Sequence, residues 1–197
     1  MKARTLALVL VLVLLMAIST WAFDGQRKGF ILGGGLGLGM TSYTQTIGVG
    51  ALSITSDRET KGAFMTDFRI GYAPSQKVAI YYTNKVSWFS FTNAYDDEVI
   101  IASGASGAGC TYSLNSTSPS WFLSGGIAIS TWALPFEDNA PDQWAGFGLF
   151  GGVGYEFARH VSAELDLVYG KPDTEEDGIN VSASTFTIML AINVLAY

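Results

Sequence analysis

Residues 30–40 read FILGGGLGLGM, and along this stretch bulky apolar residues alternate with glycine. The even positions are mostly large, as at Phe30, Leu36 and Met40, whereas each odd position from Gly33 to Gly39 is a glycine. A two-residue period predicts a β-strand with one apolar face, because successive side chains of a strand point to opposite sides. The run also contains Gly-x-Gly spacing, but it alternates as a strand and no helix pattern follows. We therefore do not expect a phosphate-binding loop.

Other segments with the same period follow, which predicts eight strands in total: 30–40, 64–72, 78–88, 99–114, 121–131, 147–157, 161–169 and 186–194. In most of them the large apolar residues share one face, and glycine, serine and a few charged residues share the other. The segment 99–114 is rich in Gly and Ser, so its phase stays open. A barrel dissolved in water would carry charges on its outer face. The nearly uncharged bulky face therefore predicts that lipid surrounds the barrel.

The connections between these segments alternate in length. The short turns are 73–76, 115–120 and 158–160, and the longer, polar connections are 44–62, 89–98, 132–145 and 170–183. Short turns at one end and long loops at the other are typical of outer-membrane barrels, whose strands of about 9–11 residues suffice to cross the bilayer. We therefore predict an all-β fold, an eight-stranded antiparallel up-and-down transmembrane β-barrel formed by residues 23–197.

Aromatic residues on the bulky face are expected to form two girdles, one at each membrane surface. The girdle near the short turns comprises Phe30, Tyr72, Trp121, Tyr155 and Tyr197. The girdle near the long loops comprises Phe64, Trp88, Phe147, Tyr169 and Phe186. The alternative is the aromatic core of a soluble β-sandwich, but such a core would not sort its rings to the strand ends.

The first residues have the layout of a secretory signal peptide. Lys2 and Arg4 precede an apolar run from Leu6 to Ile18, and a small residue, Ala22, follows at the expected cut. The run is shorter than the roughly 20 residues that a membrane-spanning helix needs. We predict a cleaved signal peptide at residues 1–22, with an uncleaved anchor as the alternative. Export and a lipid-facing barrel together predict the outer membrane of a Gram-negative-type bacterium.

Composition excludes several other classes. The chain has 197 residues, a formal net charge of −6, 14% charged residues and one cysteine. A nucleic-acid partner is not expected, because phosphate binding needs a basic surface. A single cysteine, Cys110, cannot support a disulfide scaffold or a cysteine-based zinc site. We interpret it as a small residue of the fourth strand, with a reactive thiol as the minor alternative.

Two adjacent stretches, GFGLFGGVGY at 146–155 and HVSAELDLVYG at 160–170, resemble those of small eight-stranded outer-membrane barrels of the OmpA/OmpX type. The resemblance extends over the mature chain and implies insertion by the barrel-assembly machinery, which reads the last strand and its terminal aromatic. Here Thr187 and Asn193 interrupt the apolar phase that would lead to Tyr197. Either a local bulge restores the phase, or Tyr197 points inward.

Charged residues on the small-residue face are expected to line the lumen: Asp67, Arg69, Lys85, Glu156, Glu164 and Asp166. The interior of an eight-stranded barrel is just wide enough for side chains to fill it. We therefore predict that these charges form an ion-pair network that plugs the lumen. A narrow pore lined by the same residues is the alternative.

The predicted loops are acidic. They carry Asp96, Asp97 and Glu98 in the second, Glu137, Asp138 and Asp142 in the third, and Asp173, Glu175, Glu176 and Asp177 in the fourth. Oxygen clusters of this kind suit hard cations, so calcium or magnesium could bridge the loops to lipid headgroups. The alternative is a solvated rim that prevents aggregation. No run has EF-hand spacing, so no dedicated metal site and no cofactor are predicted.

Catalysis is not expected. His160 precedes Ser162 by two residues, a spacing that is also found in outer-membrane lipid A deacylases. Here the histidine falls in a short turn and the serine points to the lumen, which is the wrong geometry for attack on a lipid. We predict a non-enzymatic envelope or surface-interaction role through the acidic loops. The alternatives are a narrow pore for small solutes or ions and a secreted, lipocalin-like binder of an apolar ligand.

Overall fold

A computed structural model describes residues 26–50, 52–92, 98–137, 143–176 and 178–197 of the chain. The strands are β1 (Gly29–Val49), β2 (Leu52–Thr55), β3 (Glu59–Ala73), β4 (Val78–Thr92), β5 (Glu98–Ser113), β6 (Ser120–Ala133), β7 (Trp144–Ala158), β8 (Val161–Glu176) and β9 (Ile179–Ala196). No helix in these ranges is long and apolar enough to cross a membrane. The predicted signal peptide, residues 1–22, lies outside the described residues.

Eight of the strands close into a ring. From β3 to β8, each strand pairs antiparallel with the strand that follows it in the chain. The ring closes because β1 pairs antiparallel with both β3 and β9. The short β2 pairs only with the end of β1, so it forms a hairpin above the ring. This topology confirms the predicted eight-stranded up-and-down barrel.

The strands are longer than the sequence pattern indicates. They have 14 to 21 residues in the ring, and much of the predicted loops 44–62 and 170–183 is β-strand. The loop assignment was wrong there because the apolar alternation marks only the part of a strand that faces lipid. Backbone pairing between β1 and β3 continues beyond the lipid-facing part, as the register pairs Ser42↔Thr60 and Tyr43↔Glu59 show.

The alternating glycines of β1 allow a close approach to β9. A Cβ atom at Gly37 would lie 2.2 Å from the carbonyl oxygen of Leu190, and one at Gly39 would lie 2.1 Å from that of Ile188. Real Cβ atoms do not approach backbone that closely, so the inward positions of β1 at this seam require glycine. The outward Gly34 is different, since a Cβ there would lie 3.4 Å from the nearest atom.

The outer face carries the bulky apolar residues. Leu36, Leu38, Ile127 and Leu190 are all more than half exposed, and an exposed apolar belt of this extent suits a lipid solvent. The phase of the fourth predicted strand is now defined: Ile101 and other odd residues of β5 point inward, and even ones point outward. The thiol of Cys110 is therefore exposed on the outer face.

Nine of the ten predicted girdle residues lie on the outer face, mostly as neighbours on paired strands. Near the short turns the registered pairs are Phe30↔Tyr72 and Trp121↔Tyr155, and near the long loops they include Phe64↔Trp88 and Tyr169↔Phe186, with Phe147 on the neighbouring β7. The tenth assignment was wrong. Tyr197 is only 7% exposed, because it shares the inward phase of the odd residues of β9.

Candidate functional site

A network of five charged side chains crosses the middle of the lumen. Asp67 and Arg69 come from β3, Lys85 from β4, and Glu164 and Asp166 from β8, and all five are buried. Lys85 Nζ donates to Asp67 Oδ2 and to Asp166 Oδ2, each at 2.8 Å. Arg69 donates to Asp67 Oδ2 from Nη2 at 2.6 Å and from Nε at 3.1 Å, and its Nη2 also pairs with Glu164 Oε2.

The position of the strands in the ring explains why this network spans the lumen. In the order β1-β3-β4-β5-β6-β7-β8-β9, strand β4 stands opposite β8, so the Lys85–Asp166 pair reaches from one wall to the other. Asp67 and Lys85 are direct register partners on adjacent strands. Three carboxylates meet two cations, so the network carries one excess negative charge when every group is ionised.

Neutral side chains complete the hydrogen bonding of these carboxylates. Thr83 Oγ1 donates to Asp67 Oδ1 at 3.0 Å, Ser124 Oγ donates to a Glu164 oxygen at 2.5 Å, and Asn193 Nδ2 donates to the other Glu164 oxygen at 3.0 Å. These partners were not predicted from the sequence. Their inward phase was the available signal, since Asn193 interrupts the apolar run of β9 because it faces the lumen.

Glu156 does not join the central network. It lies nearer the short turns, where it pairs with Arg27 and accepts a 2.6 Å hydrogen bond from the Tyr197 hydroxyl. Arg27 Nη1 also donates to the backbone carbonyl of Asn115 at 2.7 Å, which ties the segment before β1 to a short turn. Of the two explanations for the phase of the last strand, the inward orientation of Tyr197 is therefore the one observed.

Aromatic rings fill the lumen towards the long loops. The ring centroids of Tyr43, Phe89 and Trp132 lie 5.2–5.7 Å apart, and all three side chains are buried. This cluster was not predicted from the sequence, because Phe89 and Trp132 fall in segments assigned to loops and Tyr43 lies between the predicted strand 30–40 and the predicted loop 44–62. Between it and the charged network, Thr41 Oγ1 lies 2.5 Å from Ser87 Oγ and 2.9 Å from Thr187 Oγ1.

Tyr43 lies beyond the lipid-facing part of β1 and is electrostatically perturbed. Its hydroxyl donates to Glu59 Oε2 at 3.0 Å. Burial disfavours the charged phenolate, and the neighbouring carboxylate repels it. Together they raise the pKa of Tyr43 to about 12. The phenol therefore stays neutral and acts as a hydrogen-bond donor at all physiological pH values.

The polarity of the wall reverses at this level. In the lipid zone the outer face is apolar and the inner face carries ion pairs. Above it the inner face carries Tyr43, Phe89 and Trp132, while the outer face carries exposed polar residues such as Lys171 and Asp173. Water replaces lipid as the outer solvent there, and aromatic groups turn inward as in a water-soluble barrel, whereas apolar residues of the β1–β2 hairpin such as Ile47 and Ile54 stay exposed.

Comparisons with known proteins concern the fold. No protein-family model matches the chain, and no curated protein matches it. The crystal structure of the outer membrane protein OprG from Pseudomonas aeruginosa superposes with a TM-score of 0.51 at 10% identity, over 88% of this chain and 98% of OprG. The fold is that of small outer-membrane β-barrels. Neisserial surface protein A gives a TM-score of 0.48 at 11% identity, over 81% of this chain and 96% of that one. The outer membrane protein AlkL gives a TM-score of 0.46 at 15% identity, over 87% of this chain and 92% of AlkL.

The acidic loops of this outer-membrane barrel fold are only partly described. Glu98, Glu137, Asp173 and Glu175 are exposed at the rim. Asp96, Asp97, Asp138, Asp142, Asp177 and the side chain of Glu176 lie outside the described residues. Within the described ranges, the acidic side chains close enough to share a metal ion are Asp67, Glu164 and Asp166 in the lumen. Lysine and arginine already occupy the space between these three.

His160 and Ser162 both lie at the short-turn end of the barrel, where they line the same cavity. His160 lies in the turn between β7 and β8 with a φ of 68°, and its Nδ1 is 2.9 Å from the Leu195 carbonyl oxygen. Ser162 is buried and lines a cavity of about 50 Å³ at the short-turn end of the barrel. The serine is turned away from the lipid-facing side of the wall.

Proposed function

We propose that the protein is an integral outer-membrane protein whose plugged barrel is a non-enzymatic scaffold, with a role in envelope integrity or surface interaction. The observation that carries this proposal is the central ion-pair network. Lys85 bridges opposite walls, its side chain is 1% exposed, and both carboxylates that it contacts are fully buried. Moving ions past it would separate buried charges in a medium of low dielectric constant, which is costly.

The outer belt supports the membrane location. Large apolar side chains such as Leu36, Leu38 and Ile127 are exposed over the middle of the barrel, where a secreted lipocalin-like binder would be polar. We infer that lipid covers this belt and that the barrel-assembly machinery inserts the chain through β9. Because Tyr197 points into the lumen, we expect the outward residues of β9, such as Leu190 and Ile192, to present the apolar surface during insertion.

The part of the barrel above the lipid zone supports a surface role. The β1–β2 hairpin extends beyond the ring, and its exposed residues include the register pairs Ile47↔Ile54 and Val49↔Leu52. Exposed apolar patches of this kind mark interaction sites. The acidic rim could in addition bind calcium or magnesium. A calcium titration tests that role, because unchanged thermal stability of the folded protein would exclude it.

Planar-bilayer recording of the purified, folded protein tests the plugged scaffold. We expect no steady ion current, and a reproducible single-channel conductance at neutral pH would overturn the plug. Cell fractionation tests the location independently. We expect the protein in the detergent-extracted outer-membrane fraction with heat-modifiable migration on a gel. Recovery in the soluble periplasmic fraction would overturn the membrane assignment.

A narrow pore is the second candidate. The observation that favours it is the presence of cavities on both sides of the network, about 50 Å³ towards the short turns and about 100 Å³ towards the long loops. Joining them would require movement of the Lys85 side chain, of the hydroxyl layer around Thr41 and of the aromatic cluster around Phe89, because all three lie between the two cavities. If the protein conducts, Lys85→Met should change both the conductance and its ion selectivity.

A further inference from the structure

The outer end of the lumen holds a cavity with aromatic walls. It has a volume of about 100 Å³ and is lined by Phe91, Ile101, Trp132, Leu134 and Trp144, with Gln45 as the polar side chain among them. Trp132 and Trp144 lie nearly parallel, with ring centroids 6.2 Å apart and an interplanar angle of 16°. Trp132 also forms the edge of the buried cluster below, so the floor of the cavity is apolar as well.

A space of this kind is unusual in a folded protein. Protein interiors are close-packed, and few voids exceed the size of a water molecule. An apolar cavity of about 150 Å³ binds benzene in another protein. The present cavity is smaller, about 100 Å³, but it is partly open, so an aromatic ring can enter it without being fully enclosed. Water gains little here, because the side-chain polar groups of the described lining residues are only the Gln45 amide and the indole N–H groups of Trp132 and Trp144.

We infer that this cavity binds a small neutral aromatic compound of one ring or of the size of indole. The parallel faces of Trp132 and Trp144 offer stacking and edge-to-face contacts to a planar ring. The Gln45 side-chain amide can form one hydrogen bond that orients the ligand. None of the described residues that line the cavity is charged, and Glu98 and Glu137 are exposed at the rim, so a carboxylate on the ligand would be both desolvated and repelled.

The site captures its ligand rather than passing it through the barrel. Directly below lie the Tyr43–Phe89–Trp132 cluster and then the hydroxyl layer of Thr41, Ser87 and Thr187. The charged network closes the lumen below these layers. Binding at the cavity does not depend on whether the lower lumen conducts, so this inference and the plugged scaffold can fail separately.

NMR of the folded protein in lipid nanodiscs tests the inference with indole as the probe. We expect the indole N–H signals of Trp132 and Trp144 to shift and to saturate, while that of Trp121, on the outer face at the opposite end, stays in place. Equal shifts at Trp121 would show partition of the probe into lipid and would overturn the assignment. Unchanged signals of Trp132 and Trp144 would overturn it too.

Two variants, one in β6 and one directly after it, provide a matched pair. Leu134→Trp fills the cavity and should weaken indole binding at least tenfold, whereas Ile129→Trp adds the same ring to the lipid-facing side of β6 and should leave binding unchanged. Heat-modifiable migration checks that both variants fold. If folded Leu134→Trp binds indole as tightly as the wild type, the cavity is not the site.

Ligand analogues test the chemistry. 1-Methylindole cannot donate a hydrogen bond, so it should bind the wild type several-fold more weakly than indole does. The Gln45→Leu variant lacks the amide, so it should bind 1-methylindole and indole equally well. Indole-3-acetate should not bind. Binding of this anion as tight as that of indole would contradict the selectivity for neutral ligands.

Discussion

Replacing Lys85 by Met removes the ammonium group that joins opposite walls of the barrel. In the folded protein Nζ lies 2.8 Å from Asp67 Oδ2 and 2.8 Å from Asp166 Oδ2, and the lysine side chain is 1% exposed. Without it, the buried carboxylates of Asp67, Glu164 and Asp166 share only the Arg69 guanidinium. Asp166 loses Lys85, its ion-pair partner, and bulk water cannot solvate the carboxylate instead because the side chain is fully buried.

The expected cost follows from this loss of partners. Removing one member of a buried ion pair destabilises a protein by about 3–5 kcal/mol, because an uncompensated charge remains in the interior. We expect Lys85→Met to lower the free energy of unfolding by an amount in that range. Adding Asp166→Asn removes one carboxylate and returns the network to the single excess negative charge that it has in the wild type. The double variant should therefore recover more than half of the loss.

Urea unfolding in lipid vesicles, followed by heat-modifiable migration and tryptophan fluorescence, measures these differences. Lys171→Met is the control, since Lys171 is exposed on the outer face and its replacement should change stability by less than about 0.5 kcal/mol. The reasoning would be refuted if Lys85→Met were within about 1 kcal/mol of the wild type. A double variant as unstable as the single one would refute the argument from charge balance.

Other positions give further predictions. Gly37→Ala should destabilise the β1–β9 seam by about 1–3 kcal/mol, while Gly34→Ala is tolerated; equal unfolding midpoints would contradict the close approach. The folded-state pKa of about 12 for Tyr43 exceeds the ordinary value of 10.0, so its stabilisation is complete below pH 10 and is lost as the pH rises through 12. The difference in phenolate absorbance between the wild type and Tyr43→Phe should accordingly titrate near pH 12, and a midpoint near 10 would be inconsistent with the buried phenol. Tyr197→Phe removes the 2.6 Å hydrogen bond to Glu156 and should cost about 1.5–3 kcal/mol in urea unfolding without preventing assembly; unchanged stability would place the hydroxyl elsewhere.

The sequence predicts the strand number and the outward residues because lipid imposes a strict alternation. Phe30, Leu36 and Met40 are exposed to the outer solvent, and the odd-numbered glycines from Gly33 to Gly39 lie on the inward face, as the period of two requires. The upper ends of the strands could not be predicted in this way. Beyond the membrane, water accepts Ser42 and Thr60 on the outer face, so the pattern that marks a lipid-facing strand ends although the hydrogen-bonded ladder continues.

The inward phase indicates which charges enter the lumen, but it does not show which of them meet. Five of the six candidate residues converge because β3, β4 and β8 bring them to one level, and this level depends on the shear of the ring. Glu156 lies on the same inward face of β7 but nearer the short turns, where Arg27 reaches it. Arg27 precedes β1, so no alternation in the strand could have indicated its role.

Inward aromatic rings were the least predictable feature of the lumen. Phe122 and Phe150 face inward although most of their inward neighbours are small. Glycines make room for them: a Cβ at Gly154 would lie 2.1 Å from the Phe122 ring, and one at Gly126 would lie 2.6 Å from the Phe150 ring. Such pairs lie on different strands. The sequence therefore shows the glycines and the rings but not their contact.

Two solvents act on one continuous wall, and this accounts for the location of the candidate binding cavity. In the lipid zone the outer face is apolar, and the lumen holds ion pairs such as Lys85–Asp166 beside buried rings such as that of Phe150. Above the membrane the same strands must bury apolar groups inside. The ring of eight strands keeps its circumference, however, and Tyr43, Phe89 and Trp132 fill only the lower part of that upper interior. The remaining space opens next to Trp144, so the cavity is a consequence of the polarity reversal and should be lost if Trp132 is replaced by a polar residue that admits water.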